Sequence, residues 1–447
     1  MRRTTATRSA LAAAGVLALT ALALPSAAGN QRAAATPFGT PVKVTPELGG
    51  GYEPTIVTDR FGNLYATAHK ENAELAISPD SRSVTQTRSM SWAWLSTDNG
   101  KSWKNLPGLP GDAENRQVGD EGDMAVDDAG HTYFIDTYLG DNTITRYTAT
   151  GRGKVAIDFT RPAMGTGSLD DRPWVTAHGD GKVFYLGNQS TKAQAPVENG
   201  DGDANGAGRY TVYPSYDGGQ TFSTIGYTLN DSGWCRPAAE HKKGSQRVVV
   251  FCGNDNGKLW SYVSNDDARS FKRYAAGTYN GADNTASYPT VEFAKDGSIW
   301  ALYVDADELR SGMPKSNRLR LMHSVDGGKK WTEQDITAMT GRYQYGWLSV
   351  AADGKKLGLG VYYRPDTKSP WKVYGATWKP GQVPTLTLLD KAPVAPAEQE
   401  EAPGDFLTSS FGPDGKLAVI WTRVVTTNPT GVQFKNLFRD IYSARQP

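Results

Sequence analysis

The sequence is poor in several features that would point to common classes of protein. Its 447 residues include only two cysteines and five histidines, and after residue 24 no apolar run approaches eighteen residues. The absence of such runs excludes a membrane-spanning helix in the rest of the chain. Charge of one sign is also lacking, because 48 Lys and Arg stand against 47 Asp and Glu. This balance argues against nucleic acid or an anionic membrane as the partner.

Motifs for cofactor and nucleophile chemistry are missing as well. The histidines show no metal-ligand spacing, no serine lies in a nucleophile elbow, and neither a phosphate-binding glycine loop nor a zinc pattern occurs. We therefore expect no required cofactor. Long helical patterns are absent too, whereas 49 glycines, 21 tyrosines and 12 tryptophans are typical of an all-β protein with many turns.

The first 28 residues have the features of a secretory signal peptide. Arg2, Arg3 and Arg8 precede the apolar run 10–24, and the small residues at 26–28 fit a cleavage rule. We predict cleavage after Ala28, a flexible segment over 29–39 and a single domain over 40–447. The mature protein is expected to be a secreted, extracellular monomer.

The two cysteines are placed to face each other across a hairpin. Cys235 and Cys252 are equally distant from a tight turn predicted at Lys243-Gly244, and strand-like segments lie on both sides. Export favours disulfide formation. We therefore predict a Cys235–Cys252 disulfide that links the two strands of one hairpin.

One eight-residue pattern, Ser-x-Asp-x-Gly-x-x-aromatic, occurs three times and in a weaker fourth copy. The copies are "STDNGKSW" from Ser96, "SYDGGQTF" from Ser215 and "SVDGGKKW" from Ser324, while "SNDDARSF" from Ser264 has Ala268 in place of the glycine. The aspartate can accept hydrogen bonds from the N–H groups that follow, the glycine supplies a positive φ, and the aromatic ring packs on the sheet. We predict four hairpin turns, here called Ser-Asp turns, rather than catalytic motifs.

A second repeat, of strand, glycine turn and strand, alternates with these turns. It begins near residues 53, 122, 172, 236, 287, 345 and 405. Self-similar units of this period predict one β-propeller with four-stranded antiparallel blades. We count seven blades, with six as the alternative if the weak unit at 122–155 is not a blade. The last unit has three recognisable strands, and the segment 40–46 could supply the fourth and close the ring.

The four Ser-Asp turns resemble the Asp-boxes, or BNR repeats, of the sialidase-like propeller superfamily. The resemblance covers nearly the whole mature chain and implies the propeller fold. Asp-boxes occur in many different glycosidases and also in non-catalytic propellers, so the resemblance leaves the activity open.

The sialidases of this superfamily bind the carboxylate of the sugar with three arginines. They use a tyrosine paired with a glutamate as nucleophile and an aspartate as acid and base. The first arginine belongs to an Arg-Ile-Pro motif on the first strand, where this sequence has Glu53-Pro54. An acid there would repel a sialic acid, which counts against sialidase activity. Arg172 and Arg236 occupy similar strand-start positions on later blades.

Propeller topology predicts which face holds the site. The connections between blades, and those between strands two and three of a blade, share one face, whereas the Ser-Asp turns join strands three and four on the other. The insertions 70–90, 189–208 and 305–317 lie between strands two and three. We call their side the loop-rich face and the other the turn face. Variable loops around a central depression commonly bind ligands, so we expect the site at the loop-rich face.

The starts of the axial strands should face this depression, and they carry acids, arginines and aromatic residues. Converging carboxylates can act as general acid and base on a glycosidic bond, arginines can grip a carboxylate or hydroxyl groups, and aromatic rings can stack on sugars. The predicted catalytic residues are Glu53, Asp123 and Asp171. The predicted substrate-binding residues are Arg172, Arg236, Tyr288, Tyr345, Trp347 and Asp405. Taken singly, these charges could instead form ion pairs across the axis.

One partial calcium-binding pattern occurs in "DGDANG". Asp201, Asp203 and Asn205 stand at alternate positions before a glycine, as oxygen ligands one, three and five of a calcium loop do. Val212 stands where the EF-hand has its glutamate, so a flexible polar loop is the alternative. A structural calcium is therefore an open prediction.

Together these observations predict a secreted, glycoside-active propeller, namely an exo-acting, sialidase-like hydrolase with a carbohydrate partner. The alternative is a non-catalytic propeller that binds glycan or protein at the same face. A third hypothesis is a polysaccharide lyase, in which Tyr288 would be the base and Arg236 would neutralise a uronate.

Overall fold

All regular secondary structure in the described part of the chain is β-strand, which confirms the predicted all-β class. The computed structural model describes residues 31–44, 51, 53–69, 75–76, 85–86, 91–106, 121–138, 141–164, 173–189, 209–230, 232–254, 257–280, 289–306, 316–404, 406–425 and 438–447. Within these ranges no helix has the length and apolar character needed to cross a membrane.

Seven four-stranded antiparallel sheets form the blades, numbered here by their innermost strands along the chain. From the axis outward, the strands are Thr55–Thr58, Leu64–Ala68, Trp92–Ser96 and Lys104–Asn105 in blade 1; Glu121–Val126, His131–Tyr138, Asp141–Gly151 and Lys154–Met164 in blade 2; Trp174–His178, Lys182–Gln189, Arg209–Ser215 and Tyr227–Thr228 in blade 3. They are Trp234–Ala239, Val248–Gly253, Lys258–Ser264 and Lys272–Thr278 in blade 4; Thr290–Phe293, Ile299–Ala306, Asn317–Ser324 and Thr332–Asp335 in blade 5; Arg342–Val350, Leu357–Arg364, Lys372–Trp378 and Thr387–Leu388 in blade 6; Thr408–Phe411, Leu417–Val425, Phe438–Arg445 and Val42–Lys43 in blade 7.

The innermost strands stand side by side around a closed ring. Each lies against the innermost strands of the two neighbouring blades, and that of blade 1 lies against those of blades 2 and 7. The prediction of seven blades is therefore confirmed, and the weak unit at 122–155 belongs to blade 2. The two-stranded hairpin Leu75–Ala76 and Thr85–Gln86 stands apart from the blades, within the insertion 70–90.

The N-terminal strand closes the ring, as predicted. In blade 7, Val42 pairs with Ser443 and Lys43 pairs with Tyr442 of the strand Phe438–Arg445. The preceding segment, predicted to be flexible, is held against the outer side of blade 6. There Ala33 N–H donates to the carbonyl of Val383 at 3.0 Å.

Neighbouring blades pack through the apolar faces of their sheets. Between blades 1 and 2, for example, Tyr65 and Leu95 lie in one buried cluster with Met124, Phe134 and Tyr147. Because strand side chains alternate between the two faces, the same strands supply both neighbouring interfaces of a blade. The rigid stack of sheets fixes the positions of the innermost strands.

All four Ser-Asp turns have the same hydrogen bonds, as their pattern predicted. The serine Oγ lies 2.7 to 3.0 Å from the aspartate Oδ1 and accepts the N–H of the fifth residue at 2.9 Å in every copy. The N–H of the seventh residue donates to the aspartate Oδ1 in each. The fifth residue has a positive φ throughout, even where it is Ala268 at 62°. These turns follow the third strand of blades 1, 3, 4 and 5 and lie on the turn face.

The predicted disulfide is present. Cys235 and Cys252 are direct partners on the first two strands of blade 4 and are bonded to each other. The insertions 70–90, 189–208 and 305–317 each join the second and third strands of a blade, as the loop-rich face requires.

Candidate functional site

Polar side chains on the innermost strands tie neighbouring blades together. Each accepts a hydrogen bond from a backbone N–H of an adjacent innermost strand: Asp123 from Val175 at 3.0 Å, Thr176 from Ala239 at 3.0 Å, Thr290 from Leu348 at 3.1 Å, Glu292 from Val350 at 2.6 Å and Thr408 from Ile56 at 2.8 Å. The inner edge of a blade is an unpaired sheet edge, so these contacts satisfy N–H groups that the sheets leave over. Asp123 and Glu292 therefore have a structural role beside any chemical one.

Arg236 is the centre of a charged and aromatic group on the axis. Its guanidinium lies between two indole rings, 3.8 Å from the ring centroid of Trp174 and 4.2 Å from that of Trp347. Its Nη1 is 3.3 Å from Oδ2 of Asp123. With Glu292, whose charge acts on Arg236, these residues come from five different blades. We call Asp123, Trp174, Arg236, Glu292 and Trp347 the axial cluster.

Burial shifts the pKa of each ionisable member of the axial cluster. It raises the pKa of Asp123, against the opposing effects of the Arg236 charge and the Val175 N–H. It raises the pKa of Glu292 to about 7, although the hydrogen bond from the Val350 N–H and the charges of His241 and Arg236 lower this pKa. It lowers the pKa of Arg236, although Asp123 and Glu292 favour its charged form. Glu292 is therefore a carboxyl group that can hold or release a proton near neutral pH.

Glu53 lies in a separate buried pair. Its Oε2 is 3.2 Å from Nε2 of His69, and both side chains are almost inaccessible to solvent. Burial raises the pKa of Tyr362, and the charge of Glu53 adds to that rise, which places Glu53 toward blade 6. The backbone of Glu53 has a φ of 56°, a conformation that costs a non-glycine residue energy.

Tyr345 and Trp347 lie at an irregular part of the innermost strand of blade 6. The register shifts between Gln344 and Trp347, and Tyr345 has a φ of 55°. The Tyr345 ring packs edge-on against Tyr362 at 6.3 Å. The two aromatic residues are 3% and 7% exposed, and Trp347 has Arg236 over its ring. In this arrangement Trp347 holds the arginine in place, while its predicted stacking on a sugar stays a prediction.

The structure thus brings together three of the predicted site residues, Asp123, Arg236 and Trp347, and places Glu53 in a buried pair with His69 and Tyr345 against the ring of Tyr362. The remaining predictions lie outside the described residues: Asp171, Arg172, Tyr288 and Asp405 for the site, and Asp201, Asp203 and Asn205 for calcium.

Sequence reasoning missed Glu292 and the role of Trp174. A usable signal was present for Glu292 in "SYPTVEF", because alternation along a strand places it on the same side as Thr290. Both residues accept an N–H from the next blade. Trp174 lies in "DDRPW", but nothing in that segment indicates a stacking partner on the following blade.

One group on the turn face has the donors of a metal site. Asp127, His131 and Asp180 each offer a ligand atom, and these atoms lie within 4.8 Å of one another. The oxygens of Asp127 already accept hydrogen bonds from local backbone N–H groups, from His131 and from Tyr133. Asp127 is therefore a turn-stabilising residue like the aspartates of the Ser-Asp turns.

Comparison with known proteins gives a likeness in fold. No model of a protein family matches the chain, and no curated protein matches its sequence. Among solved structures, a GH74 enzyme from Niastella koreensis is 15% identical with a TM-score of 0.51, over 86% of this chain and 53% of that one. The NanB sialidase from Streptococcus pneumoniae is 12% identical with a TM-score of 0.44, over 92% of this chain and 70% of that one.

A protein of unknown function from Dyadobacter fermentans DSM 18053 is also similar. It is 12% identical with a TM-score of 0.47, over 92% of this chain and 99% of that one. At such identities the likeness concerns the fold alone. At that level the fold that the resemblance implied, a β-propeller, is confirmed.

Proposed function

We propose that this protein is a secreted, glycan-active propeller that hydrolyses glycosides, with the axial cluster at the centre of its site. The observation that carries the proposal is a pair of buried carboxyl groups, Asp123 and Glu292, whose charges both favour the charged form of the Arg236 guanidinium. One of them has a pKa of about 7. Glycosidases generally combine a protonated carboxyl group with a second carboxylate across the scissile bond.

The roles follow from the environments of these groups. Glu292 is the general acid, because burial keeps its proton near neutral pH and the leaving oxygen of a glycoside needs one. Asp123 is the second carboxylate and also orients Arg236. The ion pair uses Nη1 of Arg236, and its other N–H groups are the donors proposed to grip a hydroxyl or carboxylate of the substrate.

Two further observations support a carbohydrate as the substrate. The three insertions all connect the second strand of a blade to the third, so they leave the ring at one face, and loops at such a face commonly bind ligands. We propose exo-action because a site at the end of a propeller axis suits the removal of terminal sugars. The solved structures with a similar fold include a GH74 enzyme and a sialidase, and those names motivate the choice of substrates in the test.

A non-catalytic glycan-binding propeller is the second candidate. The ion pair of Asp123 with Arg236, together with the two indole rings that enclose the guanidinium, favours it. A carboxylate that serves only to fix an arginine needs no proton transfer. The two candidates differ in what happens to the substrate, so turnover distinguishes them.

The test is hydrolysis of a panel of aryl glycosides and natural glycans by the purified protein and by a Glu292→Gln variant. We expect turnover of at least one substrate and a loss of about 10²- to 10⁴-fold in kcat/KM in the variant, since general acid catalysis contributes that much. Glu333→Gln is the matched control, because Glu333 lies on the outermost strand of the same blade, and its rate should equal that of the unmodified protein.

Two results would contradict hydrolysis at this site. If no substrate is cleaved while glycans still bind, the binding function replaces the catalytic one. If a substrate is cleaved equally well by the Glu292→Gln and Asp123→Asn variants, the reaction takes place away from the axial cluster.

A further inference from the structure

Two arginines are buried side by side at the loop-rich end of blade 6. Arg342 begins the innermost strand, Arg364 ends the second strand, and the two are direct partners in the sheet. They are 2% and 1% exposed. Both guanidinium groups lie over the ring of Trp371, at 5.5 Å and 4.5 Å from its centroid.

Arg364 is held by neutral acceptors. It donates to the carbonyl oxygens of Ala397 at 3.4 Å, Gln399 at 3.1 Å and Glu400 at 2.9 Å. These bonds fasten the segment 397–400 over the end of the sheet. They use the two terminal nitrogens of the guanidinium, while its buried Nε has no acceptor. Among the described residues, no carboxylate lies within ion-pair distance to neutralise its charge.

Arg342 has still fewer partners. Among the described residues its guanidinium forms no hydrogen bond and no ion pair, and its buried Nε has no acceptor. Burial and the nearby charge of Arg364 lower the pKa of Arg342 to about 10, while the charges of Glu400 and Glu401 act in the opposite direction. The side chains of Glu400 and Glu401 lie in residues that are exposed to solvent.

Two buried cations without a carboxylate partner are costly. A buried charge that lacks its counter-charge typically destabilises a protein by several kcal/mol. Arginines that serve only the fold are usually paired, as Arg247 is with Glu240 at 2.5 Å in this protein. The missing component at Arg342 is therefore an anion with oxygen acceptors, which a guanidinium can bind with two parallel hydrogen bonds.

We propose that Arg342, supported by Arg364, binds an oxyanion at the loop-rich end of blade 6, either free or as the carboxylate or sulfate group of an acidic sugar. The site is distinct from Arg236 and the axial cluster, but Tyr345 lies only three residues along the same strand from Arg342. An oxyanion bound there lies at the same face as the proposed glycan site. The inference concerns binding alone and does not depend on hydrolysis.

The first experiment measures the affinity for inorganic sulfate by calorimetric titration in chloride buffer of constant ionic strength. The unmodified protein is compared with Arg342→Gln, which removes the charge. We expect the affinity to fall at least tenfold in the variant. Arg320→Gln is the matched control, because Arg320 is partly buried but already forms ion pairs with Asp305 and Asp335. This variant should bind sulfate with the affinity of the unmodified protein.

A second arm separates the two sources of the oxyanion. Glucuronate is titrated against glucose, which is the same ring without the carboxylate. Binding of sulfate and glucuronate with equal loss in Arg342→Gln supports a general oxyanion site. Binding of glucuronate alone supports a site for an acidic sugar. In either case glucose binds no better to the unmodified protein than to the variant.

A stability measurement keeps the proposal testable if Arg342→Gln folds poorly. Replacing an unpaired buried cation with an apolar residue of similar length should leave the protein as stable or make it more stable. We therefore expect Arg342→Met to have an equal or higher Tm without sulfate and a smaller rise in Tm when sulfate is added. Sulfate also stabilises proteins in general, so only the difference between variants counts.

The proposal is overturned by either of two results. One is an unchanged response to both oxyanions in Arg342→Gln or Arg342→Met. The other is a loss of stability in Arg342→Met without any oxyanion response in the unmodified protein, which would show that Arg342 serves only the fold.

Discussion

Burial sets the protonation of the axial carboxyl groups. For Asp123 and for Glu292, burial is the largest influence on the pKa and raises it, while the N–H of the next blade and Arg236 act in the opposite direction. A glutamate on an exposed strand would be ionised at neutral pH and could not donate a proton. The chemistry proposed for Glu292 thus comes from its place on an innermost strand rather than from a local motif.

The raised pKa of Glu292 predicts a pH dependence of stability. The folded state binds the proton more tightly than the unfolded state, so the stabilisation is fully present below about pH 4.5 and is lost as the pH rises through about 7. Glu292→Gln keeps a neutral group and an acceptor for the Val350 N–H. Between pH 4.5 and 8 we expect the free energy of unfolding of the unmodified protein to fall by about 2–3 kcal/mol relative to the variant.

Urea denaturation at pH 4.5, 6 and 8 measures this difference. Glu333→Gln, which keeps Glu292, again serves as the control and should still show the fall in the free energy of unfolding between pH 4.5 and 8. Parallel curves for the unmodified protein and Glu292→Gln would show that Glu292 titrates as an ordinary glutamate.

At this scale the sequence allowed only part of the site to be predicted. Strand starts pointed to Asp123, Arg236 and Trp347, which do come together. Glu292 was missed because the start of this strand pointed to Tyr288, whereas the alternation with Thr290 was the signal that could have indicated it. Glu53 was grouped with these residues, and the structure pairs it with His69, which directly follows the second strand of its own blade; its backbone has a positive φ.

The hairpin is the element that the sequence predicts best. A Ser-Asp turn needs a short-range set of hydrogen bonds and one residue with a positive φ, and both can be read from eight residues. The copy with Ala268 shows that the hydrogen bonds, rather than the glycine, define the turn. In this copy Ala268 takes a φ of 62° and still donates its N–H to Ser264 at 2.9 Å.

We predict that Gly328→Ala destabilises the protein by about 2–4 kcal/mol. Part of this comes from the positive φ of 87°, which costs an alanine roughly 1 kcal/mol. The rest comes from packing, because a Cβ there would lie 2.9 Å from Oγ of Ser261 and from a methyl group of Val263. The measurement is chemical denaturation at neutral pH.

Gly381→Ala is the matched control for this substitution. Gly381 has a φ of 83°, but a Cβ at this position meets nothing within 4 Å. The Gly381→Ala substitution should therefore lower the free energy of unfolding only by the backbone contribution of about 1 kcal/mol. If both substitutions lowered the free energy of unfolding equally, the residues packed around Gly328 would have to accommodate a Cβ without destabilising the protein.

At the scale of the whole molecule, repetition made the architecture predictable. Seven units of one plan imply seven blades, and a last unit with three strands implies that another strand closes the ring. Both follow from the sequence because each blade needs neighbours on both sides to bury its apolar faces. The oxyanion-binding arginines could not be foreseen, since Arg342 and Arg364 are 22 positions apart and only the pairing of two strands brings them together.

The closing strand predicts the effect of a truncation. A chain that begins at residue 45 lacks Val42–Lys43 and leaves the strand Phe438–Arg445 as an open sheet edge. We expect its Tm to fall by at least 5 °C and its tendency to aggregate to rise, because unpaired strand edges bind one another. A chain that begins at residue 31 keeps the strand and should have the Tm of a chain that begins at residue 29, the predicted start of the mature protein. Equal Tm values for the two chains would show that closure adds little to stability.

The same closure has a consequence for the order of folding. Val42 pairs with Ser443, so the outermost strand of blade 7 is synthesised well before the strand that it pairs with. The hairpins of blades 1 to 6 can form locally as they emerge, whereas the final pairing must bring together the most distant parts of the chain. Until then the first and last blades each present an uncovered flank. Refolding should therefore end with a slow step in which the ring closes. The chain that begins at residue 45 lacks the closing strand and should not show this step.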